Sequence, residues 1–253
     1  MSLDIEWSDY HLAFCREAEA RGFEAIELAS LNEGSLIAWE RPGNGPRVYL
    51  SAGIHGDEPA GPLAVLELLR EDFFAAPVAW SICPMLNPSG FAACRRENAD
   101  GVDLNRDYLL RSTLEVAAHV KWLDAQPTPD LFISLHEDWE SVGFYFYEIN
   151  LGEEDPRLPQ LILDAVSPWF PPEPGPEIDG HTPREAGWIY HAAEPDLPEG
   201  WPEAIFMAKK GCPVSFTFET PSHAPLAQRV AAQAAAVKAT CARLCDQVGQ
   251  GGF

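Results

Sequence analysis

Residues 48–85 read VYLSAGIHGDEPAGPLAVLELLREDFFAAPVAWSICPM. Val48–Ala52 is a short apolar run with strand character, Glu58–Phe74 takes a helical period in its second half, and Val78–Met85 is strand-like again. Strand, helix and strand in that order form a βαβ unit, and near-continuous apolar strands imply a mostly parallel sheet covered on both faces. Outward from this unit, Asp9–Arg21 has helical spacing with Gly22 placed to stop it, and Ser35–Trp39 is a further strand candidate. Ser112–Ala125 reads as an amphipathic helix with a Ser or Thr cap and Glu115 three residues beyond Ser112. Leu131–Leu135, Gly143–Tyr147 and Val214–Phe218 are strand candidates, and the alanine-rich Leu226–Val248 is a long helix. Pro168–Trp201, which includes PPEPGP at 171–176, lacks a sustained period and is expected to be a long surface loop shaping a pocket.

The 253 residues are 46% hydrophobic and 22% charged, enough to bury one large core, so a single globular domain over residues 1–253 is expected. A formal charge of -22 repels phosphate backbones and anionic lipid, which argues against nucleic acid and membrane surfaces as partners. MSLDIEWSDY at the start has no apolar run of a secretory signal, and the uncharged stretch Ala75–Cys94 is broken by Pro77, Pro84 and Pro88. Cysteines 15, 83, 94, 212, 241 and 245 form no CxxC pair, so neither a disulfide framework nor a cysteine metal site is indicated. A soluble, cytoplasmic protein is expected.

Four segments place polar, metal-capable residues directly after apolar strands: HGDE at 55–58, RRENADGVDLNRD at 95–107, SLHED at 134–138 and FTFETPS at 216–222. Sites of parallel sheets form beyond the strand carboxyl ends. Hydrolysis of an unactivated amide needs a water made nucleophilic near neutral pH, a base and positive charge for an oxyanion; zinc with three protein ligands and an open position supplies the first. His55 and Glu58 are spaced to reach one metal from a tight loop, with Gly56 between them giving the backbone freedom to turn. HxxE recurs at His191 and Glu194, read as accidental because no third ligand after a strand accompanies it.

The joint pattern resembles the zinc carboxypeptidase family. The matching elements are IHGDE, NPSG at 87–90, RENADGVDLNRDY from Arg96, FISLH ending at His136 and SFTFE ending at Glu219, in the family's order across residues 50–220. The resemblance implies a single-domain α/β/α sandwich with a mixed, mostly parallel sheet. It implies that His55, Glu58 and His136 hold one zinc ion, that Glu219 is the general base, and that Arg96 stabilises the oxyanion. Asn105 and Arg106 would bind the terminal carboxylate of a small peptide or peptide-like substrate. Arginine suits both tasks because its planar fork pairs bidentately with carboxylate and stays protonated. Arg95 is the alternative to Arg96, and Asp103 reads as an acid orienting a ligand histidine.

Glu137 and Asp138 could line the pocket or face solvent; in a chain with 39 acidic residues the solvent reading is preferred. His11, His119, His181 and His223 have no partner motif and read as surface or satisfied core histidines. For the family's carboxylate-binding tyrosine the best match is Tyr190, with Tyr145 or Tyr147 as alternatives. The short chain and the RENADGVDLNR form look closer to bacterial members that trim peptidoglycan-type peptides. Two rival functions remain. The related succinylglutamate desuccinylase and aspartoacylase group shares HxxE and a D-x-N-R element and removes an acyl group from an amino acid, whereas a binding module would recognise a peptide carboxylate without cutting it.

Overall fold

A computed structural model describes residues 6–75 and 77–250. Residues 1–5 of the segment read for a leader, and the side chain of Cys245, lie outside the described residues. The strands are β1 (Glu24–Leu31), β2 (Gly34–Arg41), β3 (Arg47–Ala52), β4 (Ala79–Cys83), β5 (Leu131–Asp138), β6 (Tyr145–Asn150), β7 (Trp188–Tyr190) and β8 (Val214–Pro221). The helices are α1 (Trp7–Ala20), α2 (Ala60–Arg70), α3 (Pro88–Ala93), α4 (Leu114–Ala125), α5 (Leu158–Val166), α6 (Glu203–Lys209) and α7 (Leu226–Gln250).

The eight strands form one mixed sheet in the order β1-β2-β4-β3-β5-β8-β6-β7. Its centre, β4-β3-β5-β8, is parallel. The β1-β2 hairpin pairs antiparallel onto β4, and β6 pairs antiparallel onto β8. Helices cover both faces, giving an α/β/α sandwich. The two-residue period of the strands divides the core: Val48, Leu50 and Ala52 of β3 join Ile133 and Leu135 of β5 under α1, α2, α5 and α7. Tyr49 and Phe132 point the other way, toward Val116, Val120 and Trp122 of α4 and Phe206 and Met207 of α6. Alanines 232, 234 and 236 are buried in that first core, where small side chains let α7 approach closely.

The proline-rich segment is a long surface excursion, yet it contributes β7, which pairs parallel with β6 at the sheet edge. Thr113, rather than Ser112, caps α4 by accepting from the Val116 N–H. No helix among the described residues is long and apolar enough to cross a membrane. The thiols of Cys15, Cys83, Cys94 and Cys212 are unbridged.

Candidate active site

The carboxyl ends of β3, β5 and β8 deliver the charged groups. His136 on β5 and Glu219 on β8 are direct neighbours in register, and Tyr145 on β6 faces Glu219 from the other side. Residues level in register project to the same face, so imidazole, carboxylate and phenol form one row. His55 and Glu58 come from the loop after β3. Glu58 sits between two imidazoles, its Oε1 2.6 Å from His55 Nδ1 and its Oε2 3.0 Å from His136 Nδ1. All three side chains are buried.

The loop is held by Asn87, fully buried at the start of α3. Its side-chain oxygen accepts from the Gly90 N–H (2.8 Å), while its amide donates to the carbonyls of Ile54 (3.3 Å) and Arg96 (3.0 Å). One side chain thus ties the HGDE loop to the arginine loop. Gly56 is required by this approach and not by an unusual turn: its φ is not positive, but a Cβ there would fall 1.9 Å from the Gly90 backbone carbon.

Arg96 reaches the cluster, with Nη1 3.2 Å from His55 Nδ1 and 3.6 Å from Glu58 Oε1. Arg95 turns away and donates to the Asn98 carbonyl. Asp103 links the parts, with Oδ1 3.2 Å from His55 Nε2 and Oδ2 accepting from Arg96 Nε at 3.0 Å. Asp103 and Glu58 thus bracket the His55 ring, one carboxylate at each nitrogen, and fix its orientation. Asn105 is buried, and its Oδ1 accepts from the Glu203 backbone N–H at 2.9 Å, which leaves its amide group free to turn to a ligand. Arg106 is exposed at the pocket, where its guanidinium donates to the Asn105 carbonyl and its stem packs on Gly200.

Burial alone would raise the Glu58 pKa, but the His55 and His136 imidazoles outweigh it and hold the carboxyl well below the usual range. Glu219 goes the opposite way. Removal from water pushes its pKa well up, and Glu58, Asp138 and Asp179 add to the rise. A buried, ionised carboxylate flanked by two Nδ1 atoms, with all three ligand atoms within 4.8 Å of one another, suits a metal ion of zinc's chemistry.

These residues line a pocket of about 430 Å³ whose far wall is Asp138, Tyr145, Tyr147, Asp179, His181, His191 and Asp196. Tyr190 is not on it. Its hydroxyl donates to the Asn150 carbonyl (3.3 Å) and Arg184 stacks over its ring, whereas the two alternatives, Tyr145 and Tyr147, do line the pocket. The solvent reading of Glu137 is corrected. Glu137 is buried, its Oε1 accepts from the Ala60 N–H at the start of α2, and its other oxygen pairs with Arg229 of α7. Strand alternation carries the signal: from His136, position 137 projects to the opposite face and Asp138 returns to the pocket.

His119 is a satisfied core histidine between the Tyr49 and Tyr108 hydroxyls, 2.7 and 2.8 Å away. Of the second HxxE, Glu194 pairs with Lys209 (2.5 Å), whereas His191 lies beside His181 and Asp196, a third partner that the spacing did not reveal.

Fold and site together define the class: an α/β/α sandwich with the zinc carboxypeptidase-like fold. Residues 44–145 match the family model of the succinylglutamate desuccinylase/aspartoacylase catalytic domain. Carboxypeptidase 2 of Trichophyton tonsurans is 31% identical over 142 residues, covering 52% of this chain and 25% of that protein. The chain thus spans about a quarter of the length of the curated relatives it matches. A candidate metallopeptidase from Shewanella amazonensis SB2B superposes with a TM-score of 0.81 at 25% identity, covering 94% of this chain and 92% of that one. The metallo-carboxypeptidase of Burkholderia cenocepacia shares the fold with a TM-score of 0.65 at 17% identity, over 95% of this chain and 69% of that one.

Proposed function

We propose that this protein is a zinc-dependent carboxypeptidase, hydrolysing the C-terminal amide of a small peptide or peptidoglycan-type peptide. The observation that carries the reading is the placement of Glu219 beside His136 in one row, facing the same pocket as His55, Glu58 and Arg96. His55, Glu58 and His136 would hold one zinc ion, which when bound supplies Lewis acidity to a carbonyl and lowers the pKa of water.

The chain's own groups do the rest. The guanidinium of Arg106 and the amide of Asn105 bind the free carboxylate and so set which amide lies beside Glu219. Glu219 Oε takes a proton from the attacking water and passes it to the leaving amine; its raised pKa suits a group that must hold that proton between two steps. Arg96, fixed through Nε by Asp103 and with Nη1 beside His55, keeps Nη2 for the developing oxyanion. A cytoplasmic site of action fits the acidic composition and the unbridged thiols.

A second reading rests on the match of residues 44–145 to the desuccinylase/aspartoacylase model: release of an acyl group from an N-acyl amino acid. Both substrates place a free carboxylate next to an amide, so the same groups serve either. Replacement Glu219→Gln tests the shared chemistry. Turnover should fall by about 10²- to 10⁴-fold, the usual contribution of a positioned acid–base group, while metal content measured by elemental analysis stays at the wild-type value. Undiminished turnover would remove Glu219 from its role.

A further inference from the structure

Beyond Glu219 and Tyr145, on the β6 side of the same pocket, lies a second cluster of metal-capable atoms. Asp179 and Gly180 both have positive φ (46° and 75°) and form the two-residue tip of a tight turn in which Ile178 and His181 exchange backbone hydrogen bonds at 2.9 Å. That turn fixes His181. His191 follows β7 and is anchored by its own N–H on the Glu148 carbonyl at 2.8 Å. The two imidazoles lie 5.0 Å apart, and each meets the Tyr147 ring edge-on.

Asp196 faces both rings. Its Oδ1 lies 3.4 Å from His191 Nε2 and its Oδ2 lies 3.6 Å from His181 Nε2. Charge-assisted hydrogen bonds between imidazole and carboxylate run about 2.7–2.9 Å, so the His191 contact is a long hydrogen bond and the His181 separation is too long for one. Ligand bonds of about 2.0–2.2 Å in a tetrahedron instead put neighbouring donor atoms about 3.3–3.6 Å apart. His191 adds a second argument. Its Nδ1 lies 2.6 Å from the Ala192 carbonyl, a pure acceptor, so Nδ1 carries a proton and Nε2 is the ring atom left to face Asp196. In the neutral ring that Nε2 offers a lone pair, the ligand atom a metal ion beside the carboxylate would take.

We propose that His181, His191 and Asp196 bind a divalent transition-metal ion, separate from the one held by His55, Glu58 and His136. Two imidazoles and one carboxylate suit zinc, nickel or copper and disfavour magnesium or calcium, which prefer all-oxygen shells. All three residues line the active-site pocket, so the ion would pin the 179–196 segment against β6 as part of that wall.

The test is metal stoichiometry. Protein stripped with chelator is reloaded with excess zinc, desalted and assayed by elemental analysis beside the His181→Ala/His191→Ala variant. The variant should hold one ion fewer per chain than wild type, whatever the other centre holds. Asp196→Asn, a change at an exposed position, should weaken the same binding event at least tenfold by calorimetry. Equal metal content in wild type and the double variant would overturn the proposal, as would wild-type zinc affinity in Asp196→Asn.

Discussion

Glu219 draws its character from its neighbours. Three carboxylates, Glu58, Asp138 and Asp179, add to the effect of burial in raising its pKa. A base works only when ionised, so activity falls as the pH drops through its pKa, and each nearby negative charge moves that limb upward. Removing the charge of Asp138, which touches no ligand atom and accepts from the Tyr145 hydroxyl at 3.1 Å, should therefore move the acid limb of kcat/KM to lower pH in Asp138→Asn. A limb that stays in place or rises would show that Asp138 does not set this pKa. The metal-capable residues were legible in the sequence because each follows an apolar strand within a spaced motif. Asp138 closes the SLHED segment but was read as facing solvent in a chain of 39 acids, and only its two-residue offset from His136 marks its face.

At the scale of elements, the site depends on loops held to one another as much as on strands. Asn87 joins the start of α3, the HGDE loop and the arginine loop through four polar partners, among them the Gly90 N–H and the Ile54 and Arg96 carbonyls. Asn87→Ala removes a helix cap and strands buried carbonyls, so chemical denaturation should show a loss of roughly 2 kcal/mol or more. Turnover should fall with it, because Arg96 loses one of its ties to the loop of His55. An unchanged denaturation midpoint would mean that water or neighbouring groups replace these bonds. The βαβ core and the strand carrying Glu219 could be read from apolar runs and period. By contrast β1, EAIELASL, has no fully buried position, and its hairpin with β2 escapes a reading based on apolar runs. The short helices α3 and α6 offer too few turns for a period, and β7 is a three-residue strand recognisable only through its pairing with β6.

Across the whole molecule, the face opposite α2 and α7 supports Asn105 at the pocket through one buried acidic residue. Glu203, at the start of α6, accepts from Tyr49 and Ser51 of β3, both at 2.7 Å, while its backbone N–H holds Asn105. Burial pushes its pKa up to about 7, the Tyr49 and Ser51 hydroxyls opposing only in part. The folded state thus binds this proton more tightly than the unfolded chain, so the stabilisation is complete below the ordinary value of 4.5 and is lost as pH rises through about 7. Glu203→Gln lacks this dependence. Wild type should therefore lose stability relative to the variant over that window, on the order of 3 kcal/mol at about 1.4 kcal/mol per pH unit. A pH-independent difference in denaturation free energy would place the Glu203 proton elsewhere. The claim that joins all scales is that the pocket directs hydrolysis to an amide beside a free carboxylate at a peptide's end. Its most direct test is mass spectrometry of zinc-loaded wild type and Glu219→Gln incubated with free-acid peptides, muropeptides and N-acyl amino acids. Loss of a single C-terminal residue with the wild type alone is the expected result; release of acyl groups with every peptide left intact would contradict it.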